Sequence, residues 1–302
     1  MIKNLKNTTE QPLLSLGINI LSYSVEIALM DLFNMRTLEY SKEILPDGDD
    51  PLPFTAELIK KIIPHDTLNK IHYFGLAFPG KIDSDHQYIL ESSPFPEYYM
   101  RSFCKDLLLT LKLKNTQSYT YSYVDCEFLY NKYILKHSNS FMIIFLKQGV
   151  SALMSEIQNW HKNYDWYNLG HFHTNSKKAC TCGNFGCLQT EAGDISCAKK
   201  FNNKISFEYN DLLNFIKALH NKNIKAQEIL KESVSLILNT IHLYENFQSL
   251  PESLMFSANF PDVSFDIIRN IIKDKYKNKI SSIFLHQNST VTGAALIPLE
   301  NR

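Results

Sequence analysis

Three of the six cysteines in this 302-residue chain fall within one octapeptide, CTCGNFGC, as Cys180, Cys182 and Cys187. The others, Cys104, Cys126 and Cys197, are scattered, the usual distribution of reduced thiols in a cytosolic core. Three thiols within eight residues point instead to a metal. Gly183 and Gly186 let the backbone turn tightly enough to aim all three sulfurs at one point. Gly170-His171 lies just upstream, and three thiolates with one imidazole make the closed tetrahedral set of structural zinc. His173 competes with His171 as the fourth ligand, and spacing alone leaves both open. Four protein ligands leave no position for water, so the pattern implies a structural ion.

Around this cluster the chain alternates strand and helix patterns. LLSLGINILSYSVEIALMDL reads as a strand, a turn near Leu21 to Tyr23, and a second strand. Thr55 to Ile63 carries a helical apolar face that stops before Pro64. HYFGLAFPG is a buried strand entering a turn at Pro79 and Gly80, and a helix is predicted over Arg101 to Leu113. YSYVD reads as a strand, with Asp125 capping a helix that runs to about Leu135. FMIIFLK is another buried strand; helices follow over Asp211 to His220 and Ala226 to Asn246. SLMFSA is a last buried strand, Asp262 to Asp274 a helix and Thr292 to Leu296 a terminal one. The alternation makes this an α/β protein. At about 150 residues per domain the length suggests two domains, and no solenoid repeat or low-complexity segment interrupts them.

Composition excludes several functions. Lys plus Arg and Asp plus Glu both total 31, a formal net charge of zero, whereas a chain that tracks a phosphate backbone is usually basic. No apolar run approaches the roughly 20 residues of a membrane span. The amino terminus, MIKNLKNTTEQ, lacks a signal-type apolar stretch, which places the expected location in the cytoplasm. Only 10 residues are Gly, about half of average usage. Loops that grip nucleotide phosphates need several.

LGHFHTNSKKACTCGNFGCLQTEAG resembles the zinc signature of the ROK family (repressors, open reading frames and sugar kinases), which reads Glu-x-Gly-His and then CxCGxxGCxE. GLAFPGKID resembles the family's Pro-Gly turn, YVDCEFLYNKY its catalytic-aspartate helix, and VTGAALIPL its carboxy-terminal segment. LSLGINILSYSVEIALMDL is similar to the xylose-repressor group. The resemblance implies an actin-like, hexokinase-type fold of two α/β lobes with a structural zinc. The expected lobes are residues 1–120, completed by 286–302, and 121–285.

The same comparison of motifs reveals losses. The kinases' first loop, DxGGT, reads Asn19, Leu21, Ser22 and Tyr23 here, so the magnesium-organising carboxylate is gone. The second, GTGxGxG, reads KQGVSAL and keeps only Gly149; the adenosine-side Gly-Gly is Ser257 and Ala258. Three degraded elements argue against productive ATP binding. Asp125 matches the general base, with Val124 and Glu127 where Asn residues usually flank it. The substrate-loop Asn aligns with Pro94, the Glu of Glu-x-Gly-His is Asn168, and the Glu closing the zinc motif is Gln189. The degenerate sugar site is therefore Pro94, Asp125, Asn168, His171 and Gln189, with no catalytic residue beyond a vestigial base. An unmatched buried polar group costs about 1–3 kcal/mol. Asn168 and Gln189 can still bond a neutral ligand, so weak sugar binding stays open. Asp125 reads better as a helix cap than as a base.

Family repressors place a winged helix-turn-helix before the first strand, and here Met1 to Pro12 allow at most about 18 Å of helix. Direct DNA contact by these residues is not expected. The aromatic set Tyr98, Tyr99, Trp160, Tyr164, Trp166 and Tyr167 reads first as core, and as a protein-contact surface if several rings are exposed. The expected function is a non-catalytic, dimeric transcription regulator that contacts another regulatory protein, in the manner of an anti-repressor. The alternatives are a sugar-responsive repressor whose DNA-binding domain is not on this chain and, ranked last, an ATP-dependent sugar kinase.

Overall fold

The computed structural model describes residues 12–301 except 84, 93, 138, 148, 157–160, 164–165, 245–250, 278 and 286–287. Strands β1 (Leu14–Leu21), β2 (Ser24–Asp31) and β3 (Arg36–Ile44) form an antiparallel meander. Helices α1 (Pro51–Ile62) and α2 (His65–Leu68) lead to β4 (Tyr73–Phe78) and the small hairpin β5 (Lys81–Asp83) and β6 (Tyr88–Glu91). Next come α3 (Phe103–Thr110), β7 (Gln117–Ser122) and α4 (Tyr123–Tyr130), which continues as a π-helical stretch, Asn131–Leu135. The chain then forms β8 (Phe141–Leu146), β9 (Ser151–Glu156) and β10 (His161–Asn163). Four helices follow: α5 (Gln189–Ala192), α6 (Asp194–Asn202), α7 (Tyr209–His220) and α8 (Ile224–Tyr244). β11 (Ser253–Ala258), α9 (Asp262–Tyr276), β12 (Ser281–Phe284) and α10 (Ser289–Leu296) complete it.

Two compact units result, one of residues up to Lys136 with Asn288 onward, the other His137–Gln287. Their sheets follow one plan. The first has the order β3-β2-β1-β4-β7 and the second β10-β9-β8-β11-β12. In each, an antiparallel meander is extended by two parallel strands. Strands β8 and β11 are buried on both faces, which explains their continuous spellings, FMIIFL and SLMFSA.

In the first unit the alternation of β1 separates two faces. Leu14, Leu16, Ile18 and Ile20 enter a core shared with Ala56 and Ile59 of α1 and Phe103 and Leu107 of α3. Ser15, Gly17 and Asn19 take the other face, where α10 lies on the sheet. A Cβ at Gly17 would overlap the Val291 carbonyl oxygen, so only glycine admits this approach. Ser15 Oγ donates to the Ala295 carbonyl at 2.7 Å.

The expected lobe boundary at 120/121 moves: residues 121–136 belong to the first unit. The reason is contact between α4 and α10 at backbone distance. A Cβ at Gly293 would overlap the Cys126 carbonyl oxygen. Other expectations shift in detail. α1 starts four residues before Thr55, because Asp50 accepts from the Leu52 N–H as N-cap and Pro51 opens the first turn. YSYVD is not strand throughout, since β7 ends at Ser122 and Val124 and Asp125 are helical. The helix predicted from Ala226 begins two residues earlier, at Ile224. Its expected last residues, Glu245 and Asn246, lie outside the described residues, as does the segment Met1 to Gln11.

Strands β3, β5, β6, β9, β10 and β12 and helices α2, α5 and α6 have no counterpart among the predicted elements. β3 is an edge strand spelled RTLEYSKEI; across its bulge Arg36, Glu39 and Glu43 share the face of Asp31, Leu29 and Val25 of β2, and Lys42 takes the other face with Glu26. Such charge protects an edge and hides its period. Among the described residues no helix is long and apolar enough to cross a membrane.

Candidate functional site

The cysteine segment folds as a tight knuckle. Cys180 N–H donates to the Asn184 carbonyl at 2.8 Å and Gly183 N–H to the Cys180 carbonyl at 3.0 Å. Gly183 (φ +89°) and Gly186 (φ +75°) occupy the left-handed region that favours glycine. A single 3-10 turn, Leu169–His171, presents the imidazole. The donor atoms of His171, Cys180, Cys182 and Cys187 all lie within 4.8 Å of one another. Cys182 Sγ is 3.6 Å from Cys187 Sγ, and Cys180 Sγ is 3.8 Å from His171 Nδ1. Tetrahedral zinc with bonds of about 2.3 Å separates its sulfurs by about 3.8 Å, so the four side chains can hold such an ion. His173 is not in this set. It pairs across the knuckle with Cys187, beside Gly186.

The electrostatics of the thiols point the same way. Burial and the neighbouring Cys182 and Cys180 push the Cys187 thiol up to about 12. Burial also pushes up the Cys180 thiol, but the Cys182 backbone N–H and the Gln189 amide outweigh it and bring the thiol below its ordinary value. Three sulfurs in contact cannot all be thiolates unless a cation neutralises them; a bound dication deprotonates coordinating thiols outright. Glu191 ties the preceding loop down. Its carboxylate accepts from Ser176 Oγ at 2.6 Å and pairs with Lys178 Nζ at 3.0 Å and Lys200 Nζ at 3.3 Å.

The turn between β8 and β9 carries Gly149, which the motif resemblance aligns with the second phosphate loop. Gly149 N–H donates to Asp194 Oδ1 at 3.0 Å, and the same oxygen accepts from Ile195 N–H at 2.9 Å. Asp194 is 1% exposed. A carboxylate thus already occupies the backbone donor that an anion would use. Sequence reasoning misses it, because an acid after Gly193 reads as an ordinary helix start. Gln189 Nε2 donates to Cys180 Sγ at 3.1 Å. Asn168 is exposed at the head of the 3-10 turn, and its carbonyl accepts from His171 N–H. Ser257 and Ala258 are buried at the end of β11.

In the first unit, Asn19 is buried and its Nδ2 donates to Glu26 Oε2 at 2.9 Å. Glu26, 1% exposed, also pairs with Lys42 Nζ at 3.0 Å. A buried acid and amide, with the exposed Lys42 paired to the acid, therefore lie at the end of β1, and Tyr23 in the following turn is buried. Asp125 does not cap α4. Ser122 is the N-cap, accepting from the Asp125 N–H at 3.2 Å, while Asp125 Oδ2 accepts from Ser122 Oγ at 2.7 Å. Glu127, at the place of a flanking Asn, is fully buried and accepts from Thr290 Oγ1 at 2.6 Å, joining α4 to α10. Pro94 is half-buried before the short 3-10 turn Pro96–Tyr98.

The five residues of the expected sugar site thus divide, Pro94 and Asp125 in the first unit and Asn168, His171 and Gln189 in the second. Of the aromatic set, Tyr98 and Trp166 are core and Tyr99 is exposed. Tyr167 is half-buried, and Trp160 and Tyr164 lie outside the described residues.

Solved structures share this fold. The ROK family glucokinase from Streptomyces griseus, in complex with glucose and AMPPNP, is similar at 12% identity and a TM-score of 0.71, covering 93% of this chain and 98% of that one. ROK hexokinase from Thermus thermophilus is similar at 13% identity and a TM-score of 0.65, covering 96% and 100%. A ROK family transcriptional regulator, a homolog of the E. coli MLC protein, is similar at 18% identity and a TM-score of 0.67, covering 95% and 78%. No curated protein matches the sequence. The fold is the mixed α/β, two-lobed, hexokinase-like one. The model of the ROK family matches residues 167–253, the segment that holds the cysteine knuckle. Its structural neighbours include both kinases and a regulator.

Proposed function

We propose that this chain is a non-catalytic ROK regulator with a structural zinc ion held by His171, Cys180, Cys182 and Cys187. The observation that carries the reading is the Asp194 carboxylate on the Gly149 N–H, at 3.0 Å. Phosphoryl transfer relies on backbone donors and cations around the phosphates. Here the remaining glycine turn offers a buried negative charge instead. Asn19 supports the same reading, since it lacks a carboxylate for magnesium and its amide is bonded to Glu26.

Without ATP chemistry, the regulator acts by dimerising and contacting another regulatory protein, as an anti-repressor that opposes a transcriptional repressor. This part rests on the sequence resemblance to the xylose-repressor group, which includes the anti-repressor of staphylococcal methicillin resistance. A role in antibiotic resistance belongs to that reading. The zinc supplies no chemistry beyond fixing the 168–189 segment, because four protein ligands fill its coordination. Asn168 and Gln189 take no charge, so any sugar that binds does so without a carboxylate from either residue.

A second reading, an ATP-dependent sugar kinase, is favoured by Asp125. Its carboxylate is half-buried and oriented by Ser122, and glucokinase and hexokinase structures share the fold. A thermal-shift titration with hexoses and pentoses, with and without ATP·Mg²⁺, separates the readings. A ligand at 100 times its Kd stabilises by about 2.7 kcal/mol. The regulator gives no response to ATP·Mg²⁺. A response to one sugar alone makes it a sugar-responsive regulator, and a response to ATP·Mg²⁺ overturns the proposal.

A further inference from the structure

Gln189 stands where the family signature carries Glu, and three segments of backbone close around it. A Cβ at Gly149 would lie 2.9 Å from Gln189 Oε1, and a Cβ at Gly170 would lie 3.0 Å from the same atom. A Cβ at Gly193 would lie 2.9 Å from the Gln189 carbonyl oxygen. The side chain has little freedom to swing. Its Nε2 is 3.1 Å from Cys180 Sγ, within hydrogen-bond reach of sulfur. Charge fixes which end of the amide faces which way: an N–H is attracted to a thiolate, and an oxygen is repelled by it.

We propose that Gln189 is a positioning residue of the metal centre, donating an N–H···S hydrogen bond that orients the Cys180 thiolate toward the ion. The proposal rests on the reading of His171, Cys180, Cys182 and Cys187 as a metal site. Groups that hydrogen-bond a metal ligand set its orientation and donor strength. Glutamate fits the same volume but places a negative oxygen against the sulfur. The amide therefore serves the thiolate here, where a carboxylate would oppose it. The same side chain lies against Gly149, so the metal centre and the β8–β9 turn are built around one residue.

The test compares the full-length protein with Gln189→Met, which keeps the volume and loses the donor, and with Gln189→Glu. Zinc affinity is measured by competition with a chromophoric chelator, and the cobalt-substituted proteins are read by absorption spectroscopy. Loss of an outer partner of a metal ligand costs about 10–100-fold in affinity. That loss is expected for Gln189→Met, with a larger one for Gln189→Glu. The sulfur-to-cobalt charge-transfer band should shift in Gln189→Met while the tetrahedral d–d bands persist. A merely structural role would not move the charge-transfer band by itself. Equal affinity and an unshifted band in Gln189→Met overturn the proposal and leave the metal site standing. Tighter binding by Gln189→Glu than by Gln189→Met also overturns it. Wild-type protein that binds neither ion overturns the metal site, and the proposal with it. If a variant is poorly folded, the cobalt spectrum of its folded fraction decides the same question.

Discussion

Asp194 organises the β8–β9 turn, and Asp194→Ala removes its carboxylate. Two backbone N–H groups, of Gly149 and Ile195, lose their acceptor. Hydrogen bonds to a charged group contribute about 1.5–3 kcal/mol each. The Ile195 amide opens α6, where water can replace the acceptor in part. The expected loss is therefore about 2–4 kcal/mol. Asp194→Asn keeps an acceptor oxygen in the same place and should lose only about 1 kcal/mol, the difference between a charged and a neutral acceptor. Urea unfolding followed by circular dichroism gives both numbers from the shift in midpoint, with a slope of about 1–3 kcal/mol per molar urea. Asp194→Ala within about 0.5 kcal/mol of wild type, on the order of an ordinary surface change, would refute the reasoning. So would equal losses in the two variants.

Gly293→Ala should destabilise. A helix-interior alanine gains about 1 kcal/mol over glycine, but here the new Cβ overlaps the Cys126 carbonyl oxygen. Backbone must move, at a cost of about 1–3 kcal/mol, so a raised midpoint in the same urea assay would contradict the packing. Glu191 predicts a pH dependence: burial would raise its carboxyl, but the Ser176 hydroxyl and Lys178 and Lys200 hold it below its ordinary value of 4.5. The stability this contributes is present above that ordinary value and disappears as pH falls through the lower folded one. The stability difference between wild type and Glu191→Gln should shrink over that acid range, and a difference that grows on acidification refutes it. Stripping zinc-loaded protein with a chelator should speed amide exchange across residues 168–189, with recovery on adding Zn²⁺ but not Mg²⁺. Exchange that is unchanged by the chelator would remove the structural role of the ion.

The sequence is most legible where one local rule decides. The apolar runs of β8 and β11 and the amphipathic faces of α7, α8 and α9 read directly as buried strands and helices. Cysteine spacing locates the cluster, because three thiols and two glycines in one knuckle need no distant partner. The choice of His171 over His173 needs the third dimension, since both lie within reach in sequence. Edge strand β3 is illegible because charges on both of its faces break the apolar period. A carboxylate at a helix start usually caps it, so Asp125 reads as a cap, yet Ser122 three residues earlier claims that place. Asp194, Glu26 and Glu127 are the hardest to find. Each is a buried acid held by contacts that local pattern does not reveal, with Gly149, Lys42 and Thr290 respectively.

Whether the chain transfers phosphate is tested most directly by sugar-dependent release of ADP from ATP·Mg²⁺, measured with a coupled assay on zinc-loaded protein across hexoses and pentoses. A non-catalytic regulator shows no turnover above the blank for wild type, and no difference between wild type and Asp125→Asn. Turnover on any sugar that Asp125→Asn abolishes would contradict this and make the chain a kinase.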